Sequence, residues 1–101
     1  QSFYGVTKIA LLGATTTLAT ELGGQGIRVN AIGPGMTKTD AGLALTPDDS
    51  PLVQFVEAKT PIQGRDTPDA LCGALLLLVS EAGRWMTGQV LNVDGGWVMR
   101  N

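Results

Sequence analysis

Histidine is missing from these 101 residues. Its absence removes the commonest general base and the commonest metal ligand at neutral pH. Cysteine occurs once, at Cys72, so no internal disulfide can form, and a reducing, cytoplasmic setting is expected. With no imidazole to activate its thiol, Cys72 reads as a small core residue rather than a nucleophile. The longest apolar stretch, ALCGALLLLV at 70–79, is too short to span a bilayer. No block of like charges occurs, and the net charge is only −2, which gives no electrostatic case for nucleic acid or an anionic membrane as partner. Internal repeats and long linkers are lacking too, so one small domain with one core is expected.

The composition is 44% hydrophobic and 16% charged, with 14 glycines that mostly punctuate the ends of periodic segments. Residues 4–22 read as a helix, with Ala10, Leu11, Ala14, Leu18, Ala19 and Leu22 at helical spacing. The threonine run at 15–17 has poor helix propensity, so packing must support it. Ala10, Gly13, Ala14 and Thr17 form a slim face that suits either core packing or a helix–helix subunit contact. GGQG at 23–26 stops the helix, because glycine accepts the left-handed cap conformation. A strand is expected at 27–33, with Arg28 outward or paired with an acid and Asn30 as a strand-end polar group. Residues 34–51 read as a long loop, in which Asp48 and Asp49 are solvated. A short helix follows, capped by Ser50 with Pro51 at its first position. Thr67 and Pro68 repeat that signal and open a helix to about Ala82. A last strand at 89–93 leads into the turn Asp94-Gly95-Gly96, and Trp85 and Trp97, flanking it, are expected to pack. This alternation fits a parallel α/β sheet.

Tyr4 and Lys8 are four residues apart, hence neighbours on one helix face. A phenol near pKa ~10 is a poor acid–base catalyst at neutral pH, and a fixed positive charge nearby lowers that value. Such a pair can exchange a proton with a carbonyl or alcohol oxygen. Alone, though, the spacing is common and reads as two ordinary surface residues.

The order of four motifs changes that reading. Tyr-x-x-x-Lys at 4–8 is followed by Asn-x-x-x-Pro-Gly at 30–35, Thr-Gly-Gln at 87–89 and Asp-Gly-Gly at 94–96. In this order they resemble the C-terminal half of the short-chain dehydrogenase/reductase family, in particular its three-oxoacyl-carrier-protein-reductase-like members. The resemblance covers nearly the whole chain. It implies an α/β fold, the C-terminal portion of a doubly wound parallel-sheet Rossmann-type domain, with residues 1–101 lacking the N-terminal dinucleotide-binding half. It implies that Tyr4 is the general acid/base and that Lys8 lowers its pKa and holds the nicotinamide ribose. Pro34 and Gly35 match the turn facing the nicotinamide. Thr37 stands where many relatives have isoleucine or valine, whose backbone binds the carboxamide, and Thr39 matches a cofactor-holding threonine. The segment at 40–60 corresponds to the substrate lid.

The same resemblance implies NAD or NADP as cofactor of the complete enzyme, a small carbonyl or alcohol substrate, and a homo-oligomer. The glycine-rich phosphate turn and the catalytic serine both belong upstream of Gln1 in the family's order. The 101 residues alone are therefore expected to bind no nicotinamide dinucleotide tightly. Two readings follow: a part of an NAD(P)-dependent oxidoreductase, or a truncated, non-enzymatic oligomerising module.

Overall fold

The structure, a computed structural model, describes residues 2–36 and 47–97, and the side chains of all of these except residues 2–5 and 7. Helix α1 spans Ser2–Leu22. Its threonines do not break it, because their hydroxyls donate back to the helix's own carbonyls. Thr15 donates to Leu11 O at 2.8 Å and Thr20 to Thr16 O at 2.9 Å. Thr15 and Ala19 are its buried described side chains, whereas Leu11 and Leu18 of the expected core face are exposed. A 3-10 turn at Gly23–Gln25 ends the helix, and Gly26, at φ 79°, donates its N–H to Gly23 O. That stop is the one expected from the glycines.

Strand β1 covers Ala31–Pro34, four residues later than the expected start at 27. The reason lies in the bonding of 28–30. Thr87 Oγ1 accepts from Val29 N at 3.0 Å, and Val29 O accepts from Gly88 N at 2.8 Å. Side chains thus occupy places that a strand ladder would fill. Helix α2, Pro51–Lys59, starts as expected: Ser50 Oγ accepts from Val53 N, with Pro51 in the first turn.

The expected helix at 68–82 is divided. A 3-10 turn at Pro68–Leu71 precedes helix α3, Cys72–Val79, and another follows at Glu81–Gly83. Thr67 occupies the cap position without a side-chain cap bond, and the Asp66 carboxylate accepts from Thr67 N instead. Ser80 is extended, which ends α3. A Cβ on Gly83 would run into the Leu77 carbonyl, so the chain can turn this tightly only with glycine there. Strand β2, Val90–Val93, pairs with β1. Ala31 N donates to Gln89 O at 2.9 Å and Gly35 N to Val93 O at 3.1 Å. Both bonds join residues 58 apart in the chain, a constant offset that makes the pair parallel.

The chain divides into two compact units. The first comprises the residues up to Ile32 with Leu75–Leu91. Its core holds Ala19 and Leu78, and Gly88 lies beneath Ala19. Arg28 neither faces outward nor meets an acid. Its guanidinium donates to Leu78 O at 2.7 Å, at the end of α3, and to Met86 O at 3.1 Å. Asn30 Nδ2 also donates to Met86 O, while its Oδ1 accepts from Gln89 N. These bonds hold the 80–89 segment to the start of β1. The second unit comprises Gly33–Ala74 with the residues from Asn92 onward. Its core is Val53, fully buried, with Val56 and Thr60. Ile62 N donates to Gly95 O at 3.1 Å.

Two expectations about packing are corrected. Cys72 is exposed, not a core residue. Trp85 is 94% exposed, and Ile9, Leu76 and Val79 are also exposed. Helix α3 is apolar nearly all round, a pattern suited to burial on several sides, yet Leu78 is its one buried side chain. Among the described residues no helix is long and apolar enough to cross a membrane, and no cluster of metal-ligating side chains occurs.

Candidate functional site

Helix α1 carries Tyr4 and Lys8 four residues apart, about one turn along its axis. Lys8 is half-buried. The side chain of Tyr4 is outside those described, and Thr37 and Thr39 lie outside the described residues altogether.

The carboxyl ends of the two parallel strands are a separate candidate feature. In open α/β sheets, ligands lie outside this edge. β1 ends in Gly33-Pro34, with Pro34 exposed, and Gly35 follows it. A Cβ on Gly33 would meet the Asn92 carboxamide oxygen, and one on Gly35 would stand 2.8 Å from Asp94 Cα. The two glycines let the backbone after β1 lie close against that after β2. Gly33 was not singled out from the sequence, although its alternation with Gly35 around a proline was a usable signal. Beyond β2, Asp94 Oδ1 accepts from Gly96 N at 2.9 Å, closing the turn that the Asp-Gly-Gly triplet suggested.

A pocket of about 370 Å³ opens in the second unit beside these strand ends. Gly35 and Met36 border it after β1, and Asp94 and Gly95 after β2. Val53 and Val56 of α2 supply an apolar wall, joined by Ile62 and Trp97. Arg65 was also passed over in the sequence, yet its side chain is only 4% exposed and lines this pocket. It pairs with Asp48 at 3.1 Å, so Asp48 is not simply solvated. Gly64, at φ 88°, makes the turn that delivers Arg65.

A family profile described as enoyl-(acyl carrier protein) reductase matches residues 1–98. An uncharacterized oxidoreductase of Mycobacterium tuberculosis is 43% identical over 100 residues, covering 99% of this chain and 40% of that protein. The solved structure of a short-chain type dehydrogenase/reductase from Mycobacterium ulcerans superposes with a TM-score of 0.85 at 36% identity. That superposition covers 97% of this chain and 35% of the other. This chain belongs to the short-chain dehydrogenase/reductase family. It spans about two-fifths of the length of the curated relatives it matches. The solved structure of 4-hydroxyisoleucine dehydrogenase complexed with NADH superposes with a TM-score of 0.80 at 31% identity, over 97% of this chain and 39% of its own. The parallel β1–β2 pair agrees with the Rossmann-type α/β architecture of these solved structures.

Proposed function

We propose that residues 1–101 form the C-terminal half of an NAD- or NADP-dependent oxidoreductase that interconverts a carbonyl and a secondary alcohol. The observation that supports this reading is the order of motifs in a short-chain dehydrogenase/reductase chain. Helix α1 bears Tyr4 and Lys8 one turn apart, and β1, in a parallel pair, ends on Pro34 with Gly35 next in the chain. The residues present fit the nicotinamide end of a dinucleotide. Pro34 is exposed at the carboxyl end of β1, the edge at which open α/β sheets bind ligands. Lys8, Pro34, Gly35, Thr37 and Thr39 would hold that end, and the bound cofactor supplies or takes up the hydride.

In the reducing direction, Tyr4 donates its phenolic proton to the carbonyl oxygen as the carbonyl carbon gains the hydride. The ammonium of Lys8 favours the phenolate that remains, so the proton moves at neutral pH. Solvent then restores the phenol. In oxidation the same phenolate takes the alcohol proton. Positioned acid–base groups contribute about 10²–10⁴-fold to rate. Tyr4→Phe in the complete enzyme is expected to lose turnover in that range while still binding NADH or NADPH. Near-normal turnover by this variant would refute the role of Tyr4.

The exposed apolar faces of α1 and α3 support assembly into a homo-oligomer, and the lone cysteine supports a cytoplasmic location. These 101 residues alone are proposed to be inactive. A few contacts worth about 1 kcal/mol each do not offset the immobilisation of a flexible dinucleotide. Saturable low-micromolar binding of NADH or NADPH to the isolated chain would overturn that statement. The exposed faces also suit the second reading, a non-enzymatic assembling module. The mass of the protein in its native extract separates the two.

A further inference from the structure

Thr60 stands at the C-cap of α2, buried, with its N–H, hydroxyl and carbonyl all engaged. The N–H donates to Glu57 O at 3.2 Å, the hydroxyl donates to Val56 O at 2.6 Å, and the carbonyl accepts from Gln63 Nε2 at 3.3 Å. The hydroxyl bond fixes the rotamer of this β-branched side chain, so its methyl cannot turn away from what it faces. It faces Gly95. A Cβ on Gly95 would stand 2.9 Å from Thr60 Cγ2, inside the ordinary contact distance of about 3.5–4.0 Å. The backbone is tied at the same place, since Ile62 N donates to Gly95 O at 3.1 Å. The preceding residue of that turn, Asp94, lies against the end of β1, where a Cβ on Gly35 would stand 2.8 Å from Asp94 Cα. The turn is closed within itself: Asp94 Oδ1 accepts from Gly96 N at 2.9 Å, and Asp94 O accepts from Trp97 N at 3.3 Å. A turn closed in this way shifts as one piece when it is pushed. The end of α2, the Asp94-Gly95 turn and Gly35 thus form one chain of contacts, all inside the second unit.

We propose that Thr60 is a positioning residue: its methyl sets the Asp94-Gly95 turn, and through Asp94 it fixes where Gly35 lies. This inference rests on the oxidoreductase reading above and deepens it, because on that reading Gly35 belongs to the turn that holds the nicotinamide end of the cofactor. The placement of α2 and the hold on the nicotinamide are then linked through Asp94 and Gly95. Thr60 acts through the turn and not by touching the cofactor. The role belongs to the methyl group: serine would keep the bond to Val56 O but remove the stop, and alanine would remove both. A displaced Gly35 weakens contacts at the nicotinamide end alone. The pyrophosphate and adenosine of a dinucleotide are held at the glycine-rich turn of a Rossmann fold, which is no member of this chain of contacts.

The test measures, by calorimetry on the complete enzyme, the binding of NADH or NADPH, whichever is tighter, and of the matching ADP-ribose, which lacks the nicotinamide. Gly95, at φ 69°, gains both backbone strain and the Thr60 clash when it is replaced by alanine. Gly26, at φ 79° with nothing within 4 Å of an added Cβ, gains the strain alone and serves as control. Gly95→Ala is expected to weaken the dinucleotide about 3–10-fold and to leave ADP-ribose within about twofold. Adding Thr60→Ser, which removes the clashing methyl, should restore dinucleotide affinity to within about twofold of wild type. Gly26→Ala should lower Tm and change neither affinity. If Gly95→Ala does not fold, Thr60→Ala decides, since it introduces no clash: a loss of about threefold for the dinucleotide with ADP-ribose unchanged is expected. Unchanged dinucleotide affinity in the deciding variant overturns the proposal. So does an equal loss for both ligands, or a Gly95→Ala defect that Thr60→Ser does not relieve. In each of those cases the wild type still binds the dinucleotide, and the oxidoreductase reading stands. A wild-type enzyme that binds neither NADH nor NADPH refutes that reading, and this proposal falls with it.

Discussion

Replacing Gly35 by alanine tests whether the close approach of the two strand ends matters for chemistry. Gly35 is not among the positive-φ glycines, so alanine can adopt its backbone conformation and the whole effect comes from contact. The new Cβ would stand 2.8 Å from Asp94 Cα and 3.0 Å from Asp94 Cβ, atoms fixed to the backbone of the turn. Carbon atoms rest about 3.5–4.0 Å apart, so the strand ends must open by roughly 0.7 Å. Overpacking of this kind costs about 1–3 kcal/mol. The bond from Gly35 N to Val93 O, already 3.1 Å long, would stretch beyond a useful length. Its loss adds about 0.5–1.5 kcal/mol. For a chain of 150–250 residues, each kcal/mol lowers Tm by about 2–4 °C, so a total of about 1.5–4.5 kcal/mol gives a fall of about 3–18 °C. On the proposal that the turn after β1 faces the nicotinamide, its displacement by a fraction of an ångström should lower kcat/KM by about 10–100-fold at temperatures where the variant is folded. Thermal unfolding and steady-state kinetics of the complete enzyme measure both effects. Gly13→Ala serves as control. No heavy atom lies within 4 Å of its added Cβ, so the change should be neutral or favourable by about 0.5–1 kcal/mol. A Gly35→Ala enzyme with Tm within about 1 °C and kcat/KM within about twofold of wild type would refute the reasoning.

Two further outcomes are expected. Arg28→Met removes the donor to Leu78 O while Met86 O keeps Asn30, so the urea midpoint should fall by the equivalent of about 2–3 kcal/mol at unchanged m-value, with partial recovery in Arg28→Lys. An unmoved midpoint would show that those bonds carry no net stability. The complete enzyme should sediment as a dimer or larger at micromolar concentration, and Ile9→Glu, at a side chain 71% exposed on α1, should weaken assembly if that helix forms the contact. A monodisperse wild-type monomer contradicts the oligomer.

The elements legible in the sequence are those whose causes are local. Ser50 and Pro51 announce the start of α2, because a cap and its first turn lie within four residues. The stop at Gly26 depends only on that residue's freedom at positive φ. Where partners lie far along the chain, the pattern misleads. Ile27 and Val29 alternate like strand residues, but Val29 N is claimed by a threonine hydroxyl 58 positions away. Arg28 looks like a surface charge until α3 and the 80–89 segment bring their carbonyls to it. Cys72 sits in an apolar run, yet burial depends on what covers the helix, and a hydrophobic run does not specify that. Tyr4 and Lys8 became meaningful through the order of motifs around them, since their spacing alone is common. Arg65 carries no local signal beyond the glycine before it, and its burial arises from tertiary packing around the pocket.

The interleaving of the two units has a consequence for how this region changes during evolution. Gly33–Ala74 leaves the first unit after Ile32 and returns at Leu75. The bonds that close the first unit, from residues 28–30 to 86–89, span this excursion. The entropy of closing a loop grows only with the logarithm of its length, so doubling the excursion adds about 0.6 kcal/mol. Arg28 and Asn30 can therefore pin the returning segment while the inserted stretch lengthens, shortens or changes its helix. The wall built from α2 becomes an exchangeable cassette on a scaffold that keeps its register. Insertion and replacement between Met36 and Ala74 can leave Ala31–Pro34 and its pairing with Val90–Val93 in place.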